Sequence, residues 1–449
     1  MVSENNPAGR PILTLDDLAR PLTRRPERIH ALTQAELAIA FSQGLDLAEG
    51  KHLGHAQRVC YIAALIAEEL GLEPQQRNAV FFAALLHDIG VPLAASEICR
   101  IAGVDEETIF GPSPLKAPEE LKGALSFADL STVVEAVHQH AVVGAATVRN
   151  LDLPEDVAAA VRAHHERWDG FGFPEGLSRD AAPIEARIVA AADVAESLIA
   201  GEPSSLAARR RLAPAIAPYA GAALDPNVVA RLLDLGKSDE FWLGLYAEDM
   251  PEMLHRLRPA TEARRSRKRV MRFAEVFADL ADVKAAHAIG HSRRTADNAG
   301  RLAEAYGLDA GHTEMVRIAA LLHDIGLLGV PARVMTKPDI LSITEMQLMR
   351  QHPAHSETVL GALNGFEEIA VWAARHHERP DGKGYPEMLA GEDLPVESRI
   401  LAVADVYSAL TSERAYRGAV QRKDAKDILL GAGGTQLDAE LVRLFVTLI

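Results

Sequence analysis

The stretch Ala319-Ala-Leu-Leu-His323-Asp324-Ile-Gly326 places a histidine and an aspartate side by side at the end of an apolar run. The chain contains this stretch twice, because Ala83-Ala-Leu-Leu-His87-Asp88-Ile-Gly90 lies 236 residues earlier. The composition, rich in alanine and leucine with only 5% aromatic residues, favours helix. Two copies of one apolar His-Asp segment therefore predict an all-α protein built from two related domains.

Further histidines and aspartates surround both copies at nearly equal intervals. In the second copy the set is His291, His323, Asp324, His352, His376, His377 and Asp405. In the first copy it is His55, His87, Asp88, His140, His164, His165 and Asp193. The first and second histidines are 32 residues apart in both copies, and the third and fourth are 24 apart. Spacing repeated over more than a hundred residues indicates duplication of one helical domain.

The domain organisation follows from length, repeat and composition. A chain of 449 residues exceeds what a single core usually supports. One interval differs between the copies, and the surplus falls in a segment containing glycine and proline, which predicts a loop-rich insertion at about 95–130. The predicted parts are a lead segment (1–45), a first domain (46–235), a helical linker (236–275) and a second domain (276–449).

Charge and composition argue against several classes of partner and against a membrane span. The net charge of −16 disfavours nucleic-acid polymers and anionic membranes, although bound metal ions and a few arginines can still attract a small anionic substrate. No apolar run approaches about 18 residues, and the first ten residues lack a signal-peptide core. Cys60 and Cys99 have no ligand-like spacing. These observations predict a cytoplasmic protein without a membrane span.

The repeated set of side chains suits metal ions. Five imidazoles and two carboxylates favour Fe, Mn or Zn, and the absence of thiolates from the set excludes a finger-type zinc site. Seven ligands are too many for one ion and about right for two. In the second copy we expect Asp324 to bridge, with one ion on His291, His323 and Asp405 and the other on His352, His376 and His377. Two such ions, roughly 3.5–4 Å apart, favour hydrolytic phosphoryl chemistry through a bridging hydroxide.

Two motifs carry a resemblance to a known family. His323-Asp324 with its surrounding histidines resembles the HD phosphohydrolase superfamily. His376-His-Glu-Arg-Pro-Asp-Gly-Lys-Gly384-Tyr385-Pro386 resembles the signature of its HD-GYP subfamily. The resemblance covers about 280–449 strongly and about 46–235 more loosely. It implies tandem HD-type helical bundles, a centre of two or three transition-metal ions (Fe or Mn ahead of Zn, Ni or Mg), and hydrolysis of a cyclic dinucleotide, chiefly cyclic di-GMP.

The resemblance also implies roles for particular residues. Asp324 and His323 would be catalytic. The substrate would be held by Arg414, Arg417, Lys337, Gly384, Tyr385 and Pro386, with the two guanidinium groups on its phosphates. The Gly-Tyr-Pro loop could also dock a protein partner. His287, one helical turn before His291, either serves a third ion or is an exposed histidine, and the residues leave this open.

The sequence departs from the family pattern at several positions. The lysine expected three residues after the HD aspartate is Leu327 here and Val91 in the first copy, which removes a cation beside the scissile phosphate. The glycine expected four residues after the third histidine is Ser356. In the first copy, Glu202 and Ser205 stand where Arg414 and Arg417 stand in the second. Since an acid opposes a phosphate, we predict a first domain that binds metal but is weak or silent.

Three functions compete on this reading. The leading one is a metal-dependent cyclic-dinucleotide phosphodiesterase with its main site in the second domain. An alternative is a silent signalling module that binds a nucleotide or protein without cleavage, as both missing lysines allow. Another HD-family nucleotide phosphohydrolase or a di-iron oxygenase is the third, against which the Gly-Tyr-Pro loop and the two arginines argue by analogy.

Overall fold

The computed structural model describes residues 32–102, 127–258, 266–285, 289–337, 339–412 and 418–449. Over these residues the regular structure is helical, and the only β-type pairings are isolated bridges such as Ala220 with Leu224. The predicted all-α fold is confirmed for the described part of the chain.

The helices of the N-terminal half are α1 Gln34–Glu49, α2 His55–Glu69, α3 Pro74–Leu86, α4 Val91–Ala102, α5 Phe127–Asn150, α6 Glu155–Ala163, α7 Ile184–Ile199, α8 Ser205–Ile216 and α9 Pro226–Leu235. Two short helices follow, α10 Asp239–Leu245 and α11 Met250–Leu257. The C-terminal half comprises α12 Arg267–Lys284, α13 His291–Tyr306, α14 Ala310–Leu322, α15 Ala332–Met335, α16 Ile343–Met349, α17 His352–Gly361, α18 Glu367–Ala374, α19 Val396–Leu410, α20 Arg422–Ala432 and α21 Ala439–Leu448. A 3-10 helix, Ile325–Gly329, follows the second His-Asp pair.

The first copy of the apolar run forms α3, whose C-terminal half is buried on all sides. A helix that is apolar all round belongs in a core, and α3 accordingly packs against α2, α6 and α7. By length and composition the stretch Pro74–Cys99 could cross a membrane, and 94% of its most apolar window is buried inside the protein.

Helices occupy both ends of the stretch 95–130, in which the sequence predicts a loop-rich insertion. Helix α4 continues to Ala102 and α5 begins at Phe127. The glycines and prolines that predicted a loop all lie between 103 and 126, so neither flanking helix contains them. Residues 103–126 lie outside the described part of the chain.

The predicted linker is helical where it is described, and its two halves lie differently. Helices α10 and α11 pack against α2, and the Tyr61 hydroxyl donates a hydrogen bond to the Phe241 carbonyl at 3.2 Å. Helix α12 instead packs against α13 and α14 of the C-terminal half. In the basic stretch Arg264-Arg-Ser-Arg-Lys-Arg269 of this segment, Arg267 pairs with Glu314, whereas Arg264 and Arg265 lie outside the described residues.

Helices α1 and α12 join the two halves by equivalent contacts. Phe41 and Phe277 are related by the same 236-residue offset as the His-Asp pairs, and their rings stack with centroids 4.4 Å apart. Helix α1 packs against the 3-10 helix of the second half, while α12 packs against α4 of the first. Ser96 Oγ of α4 donates a hydrogen bond to the Lys284 carbonyl at 3.1 Å. The two halves therefore contact each other through an internal, approximately twofold interface.

The same two helices position the first histidine of each set. Asp46 of α1 accepts hydrogen bonds from the backbone N–H groups of Gly54 and Ala56 at 2.6 and 2.9 Å, where α2 begins. Asp282 of α12 accepts from the Ser292 hydroxyl at 2.7 Å, where α13 begins. Because carboxylates satisfy the free donors of a helix N-terminus, they fix the starts of the two helices that open with His55 and His291.

Candidate metal centre

The second His-Asp pair lies at the junction of α14 and the 3-10 helix. His323 is the C-terminal cap of α14, and Asp324 follows with its backbone already outside the helix. The other predicted side chains converge from separate elements: His291 opens α13, His352 opens α17, His376 and His377 follow α18, and Asp405 lies in α19. The structure thus brings the whole predicted set of this half into one cluster.

Asp324 lies between two groups of imidazoles. Its Oδ2 is 3.3 Å from His323 Nε2, and its Oδ1 is 3.4 Å from His352 Nε2 and 3.7 Å from His376 Nε2. Asp405 Oδ1 lies on the first side, 3.0 Å from His291 Nε2. One carboxylate facing two sets of nitrogen donors is the arrangement that a bridging ligand requires.

Backbone carbonyls orient the imidazoles. The Nδ1–H groups of His323, His352 and His376 each donate to the carbonyl three residues earlier, at 2.8, 2.8 and 2.6 Å. This hydrogen bond fixes the tautomer and leaves the Nε2 lone pair pointing into the cluster. His87 and His164 use the same device in the first half. The residue that supplies each carbonyl lies in the preceding helical turn, so the local fold itself presents Nε2 to a ligand.

Burial and charge divide the histidines into two kinds. Burial lowers the pKa of His376 well below its ordinary value and that of His377 to about 4, so both imidazoles are neutral donors. Burial would also lower the pKa of His323, but the carboxylates of Asp324 and Asp405 outweigh it and hold the pKa well above the ordinary value. A cation is therefore favoured beside His323, whether it is a proton or a metal ion.

The side chains present fit a metal centre. The ligand atoms of His352, His376 and His377 all lie within 4.8 Å of one another, as do those of His291, His323 and Asp324. His323 Nε2 is buried and makes no hydrogen bond within the described part of the chain. A buried, correctly oriented nitrogen without a hydrogen bond is accounted for by an ion that it would bind.

A close backbone contact holds the His-Asp turn against α17. A Cβ atom added to Gly326 would lie 1.9 Å from the His352 carbonyl oxygen. Ser356 Oγ accepts from the Gly326 N–H at 2.9 Å and donates to the His323 carbonyl at 2.7 Å. The serine that departs from the family pattern therefore ties this turn to α17. Leu327, where a lysine was expected, packs in an apolar cluster with Val330, Val334 and Met335 among its members.

The Gly-Tyr-Pro loop lies beside the second group of imidazoles. The Tyr385 ring stacks on His377 with centroids 4.7 Å apart, and the Arg350 guanidinium lies 5.2 Å from the centre of the Tyr385 ring. Gly384 has no room for a side chain, since an added Cβ would lie 2.5 Å from Glu378 Cα. The loop therefore approaches the cluster closely enough to orient His377.

Glu378 holds this loop, and the sequence analysis did not identify it. Its buried carboxylate accepts three backbone N–H donors, from Glu387, Met388 and Leu389, at 2.6, 3.0 and 2.9 Å. Glu166 repeats the pattern in the first half with donors at 2.7, 3.1 and 2.8 Å. The sequence does show a glutamate directly after the paired histidines in both copies. It does not show that this glutamate anchors the loop.

Replacing Glu378 with alanine is expected to lower the free energy of unfolding by roughly 3 kcal/mol, because three N–H groups lose a charged acceptor. Turnover should fall as well, since Tyr385 would no longer be held against His377. Denaturant unfolding and steady-state kinetics measure the two effects. The matched control is Glu166→Ala, which should cost similar stability but leave turnover near wild type. Equal loss of turnover in the two variants would contradict the prediction that the second domain holds the main active site.

The first half repeats the cluster with one additional side chain. Asp88 Oδ2 is 3.1 Å from His87 Nε2, and its Oδ1 is 3.4 Å from His140 Nε2 and 3.5 Å from His164 Nε2. His165 joins them, with Phe173 against its ring in place of the tyrosine. Asp193 Oδ1 lies 3.3 Å from His55 Nε2. All seven predicted side chains of this half therefore also converge.

Lys51 lies within the first cluster, and the sequence analysis did not single it out. Its Nζ is 2.6 Å from Glu49 Oε2 and 2.9 Å from His55 Nε2. Burial would lower the pKa of Lys51, but Glu49, Asp193 and Asp88 outweigh it and hold the pKa well above its ordinary value. An ammonium group therefore belongs to this cluster.

The remaining predicted residues form ion pairs or fall outside the described part of the chain. Lys337 Nζ forms an ion pair with Glu345 at 2.7 Å. Glu202 pairs with Arg211 at 2.8 Å, and Arg209 pairs with Asp239 at 2.5 Å, so both arginines serve surface ion pairs. The predicted phosphate ligands Arg414 and Arg417, and His287 with its proposed third ion, fall outside the described residues.

Comparison with known families identifies both halves. Residues 53–198 match the HD domain family, and residues 275–441 match a second family, also described as HD domain. The 3'3'-cGAMP-specific phosphodiesterase 3 of Vibrio cholerae is 28% identical over 430 residues, covering 90% of this chain and 92% of that protein. The cyclic di-GMP phosphodiesterase response regulator RpfG of Xanthomonas campestris is 42% identical over 146 residues, covering 32% of this chain and 39% of that protein.

The fold comparison agrees over most of the chain. The crystal structure of the cyclic GMP-AMP specific phosphodiesterase V-cGAP3 of V. cholerae aligns with a TM-score of 0.65 and 25% identity, covering 92% of this chain and 97% of that one. Both family matches, the relatives and the His-His-Glu…Gly-Tyr-Pro loop at the cluster agree with the resemblance seen in the sequence. The chain belongs to the HD-GYP subfamily of the HD superfamily.

Proposed function

We propose that this chain is a metal-dependent phosphodiesterase that opens a 3'3'-linked cyclic dinucleotide in its second HD domain. The observation that carries the proposal is the position of Asp324, whose two oxygens face separate sets of imidazoles at 3.3 and 3.4 Å. Two ions held there would supply an activated water and Lewis acidity for in-line displacement at phosphorus. Fe or Mn suits the mixed nitrogen and oxygen donors.

The residues of the chain would perform the remaining work. His291, His323 and Asp405 form one donor set and His352, His376 and His377 the other, with Asp324 shared. Tyr385 holds the His377 ring by stacking, and Glu378 holds the loop that carries Tyr385. Arg414 and Arg417 are proposed to bind the phosphates of the substrate, because guanidinium groups match them in shape and charge.

The preferred substrate is proposed to be 3'3'-cGAMP ahead of cyclic di-GMP, which revises the expectation from the sequence alone. Two relatives that cover most of this chain, the V. cholerae 3'3'-cGAMP-specific phosphodiesterases 3 and 1, share 28% and 26% identity with it. The cyclic di-GMP phosphodiesterase of Thermotoga maritima instead covers 35% of the chain, at 34% identity. The tandem arrangement of both domains thus supports the mixed ring.

The first HD domain is proposed not to hydrolyse this substrate. A cavity of about 730 Å³ opens beside α2 and is lined by the carboxylates of Glu196, Glu202, Glu248 and Asp249. Glu196 pairs with Arg58 and His55, and Glu202 pairs with Arg211, while Glu248 and Asp249 add two further carboxylates to the lining of the space that a dianionic ring would need. Negative charge of this density opposes a cyclic dinucleotide.

Turnover of a panel of cyclic dinucleotides tests the proposal directly. Protein purified without oxygen and supplied with Fe(II) or Mn(II) is expected to open 3'3'-cGAMP faster than cyclic di-GMP or cyclic di-AMP. Arg414→Ala should raise KM at least about tenfold, the worth of one lost charge-assisted contact to phosphate. Arg422→Ala, outside the predicted set, is the control.

A silent binding module is the second candidate, supported by Leu327. Its side chain packs in an apolar cluster, so the second domain lacks the cation that the family usually places there. Tight binding of a cyclic dinucleotide by metal-loaded protein, with no product in any metal condition, would favour this candidate over the phosphodiesterase.

A further inference from the structure

We infer that the Lys51 ammonium permanently occupies one of the two metal positions of the first HD domain, so that this domain holds a single ion. The inference rests on the proposed function in one respect, the binding of metal by the His and Asp sets. It goes further by assigning the two halves different metal contents.

The contacts of Lys51 are those that an ion would make. Its Nζ lies 2.9 Å from His55 Nε2, 3.5 Å from Asp88 Oδ2 and 3.9 Å from Asp193 Oδ1. These three groups correspond to His291, Asp324 and Asp405, which form or border the first donor set of the second domain. Lys51 Nζ therefore lies within hydrogen-bonding distance of the His55 nitrogen that a metal ion would bind.

Local structure directs the lysine inward. Helix α1 ends at Glu49, and Gly50 follows in the left-handed region with φ of 70°, which glycine adopts without strain. The Lys51 N–H then donates to the Asp46 carbonyl at 2.9 Å, which sets the exit direction of the chain. Glu49, only 1% exposed, pairs with Lys51 Nζ at 2.6 Å. This buried contact holds the two side chains together inside the domain.

The second domain has no counterpart of this pair. At the 236-residue offset, Glu49 corresponds to Ala285 and Lys51 to His287. Neither Ala285 nor His287 can form a carboxylate–ammonium pair.

The other position of the first domain remains complete. Asp88, His140, His164 and His165 bring four ligand atoms within 4.8 Å of one another, enough for one ion. An ammonium between the nearby carboxylates would repel a second divalent ion by its charge and by occupying its space. A single ion cannot provide the two-metal clamp, so this half would lack hydrolysis even with an uncharged substrate pocket.

Metal content and anomalous diffraction of the full chain test the inference. Crystals grown with Mn(II) should show two peaks in the second domain and one in the first, among Asp88, His140, His164 and His165. Lys51→Ala should add a peak between His55 and Asp193 and raise the manganese measured by mass spectrometry by about one ion per chain. Lys51→Arg, which keeps the cation, should add none.

Each outcome decides between specific claims. Two peaks in the first domain of the wild-type protein, with Lys51 displaced, would overturn the inference while leaving the proposed function intact. A folded Lys51→Ala protein that gains no ion would also overturn it. If Lys51→Ala does not fold, the double variant Glu49→Gln/Lys51→Ala removes the unpaired carboxylate and receives the same measurement. Absence of metal from both domains would refute this inference and the proposed function together.

Discussion

Replacing Asp324 with alanine is expected to lower turnover of a cyclic dinucleotide by at least about a thousandfold, equivalent to about 4 kcal/mol of transition-state stabilisation. The expectation follows from geometry, because the two oxygens of this carboxylate face His323 and His352, one histidine from each donor set. Its loss would separate the two donor sets and leave His323 without the carboxylate 3.3 Å from its Nε2. Steady-state kinetics with Mn(II) supplied, together with the metal content of the variant, measures the effect.

The equivalent change in the first domain provides the control. Asp88→Ala removes the corresponding carboxylate, which lies 3.1 Å from His87 Nε2 and 3.4 Å from His140 Nε2. Most of the wild-type turnover should remain, since hydrolysis is assigned to the other half. Circular dichroism of both variants separates loss of chemistry from loss of fold. If Asp88→Ala were to inactivate the protein as completely as Asp324→Ala, the two domains would share the reaction and the assignment would fail.

Gly326→Ala is expected to destabilise the second domain by at least about 3 kcal/mol, at the upper end of the cost of steric overpacking. The new Cβ would lie 1.9 Å from the His352 carbonyl oxygen and 2.6 Å from the Ser356 N–H nitrogen. Both atoms belong to the backbone of α17, so the helix must shift and carry His352 away from Asp324. Thermal unfolding and metal content should therefore fall together.

A second glycine on the same helix isolates the steric cause. Gly361 ends α17, and an added Cβ there would meet no heavy atom within 4 Å. Gly361→Ala should leave metal content unchanged and stabilise the helix by up to about 1 kcal/mol, the usual advantage of alanine. A Gly326→Ala protein with wild-type unfolding and metal content would show that the turn is not held tightly against α17.

The ligand set was predictable because helix ends and sequence spacing coincide. His323 ends an apolar run that must be buried, and His352 opens a helix that faces it. Because the helices of the two halves are regular, histidines separated by equal numbers of residues in the two copies occupy equivalent positions in the two clusters. Asp405 follows because α19 crosses the same cluster. The positions of these side chains agree with the sequence interpretation, whereas their individual roles remain predictions.

Residues that act through tertiary contacts were harder to find. Lys51 becomes a neighbour of Asp88 and Asp193 only because Gly50 turns the chain after α1, and no periodicity encodes that turn. Glu378 has a counterpart in the first half, but its partners are backbone N–H groups. Such groups occur in almost every residue, so the sequence does not reveal which of them the glutamate binds. Helices α4 and α5 flank the glycines and prolines from which the insertion is predicted, so its predicted bounds of about 95–130 also include helical residues.

The stacked rings of Phe41 and Phe277 have a consequence for how such a chain can change over time. Each ring is covered by its counterpart, so deleting either half would expose a large aromatic surface of the other to water. A half that has lost its catalytic activity would then be retained, because it covers the interface of the active half. The residues of its metal cluster could then change during evolution, whereas the residues that contact the other half could not.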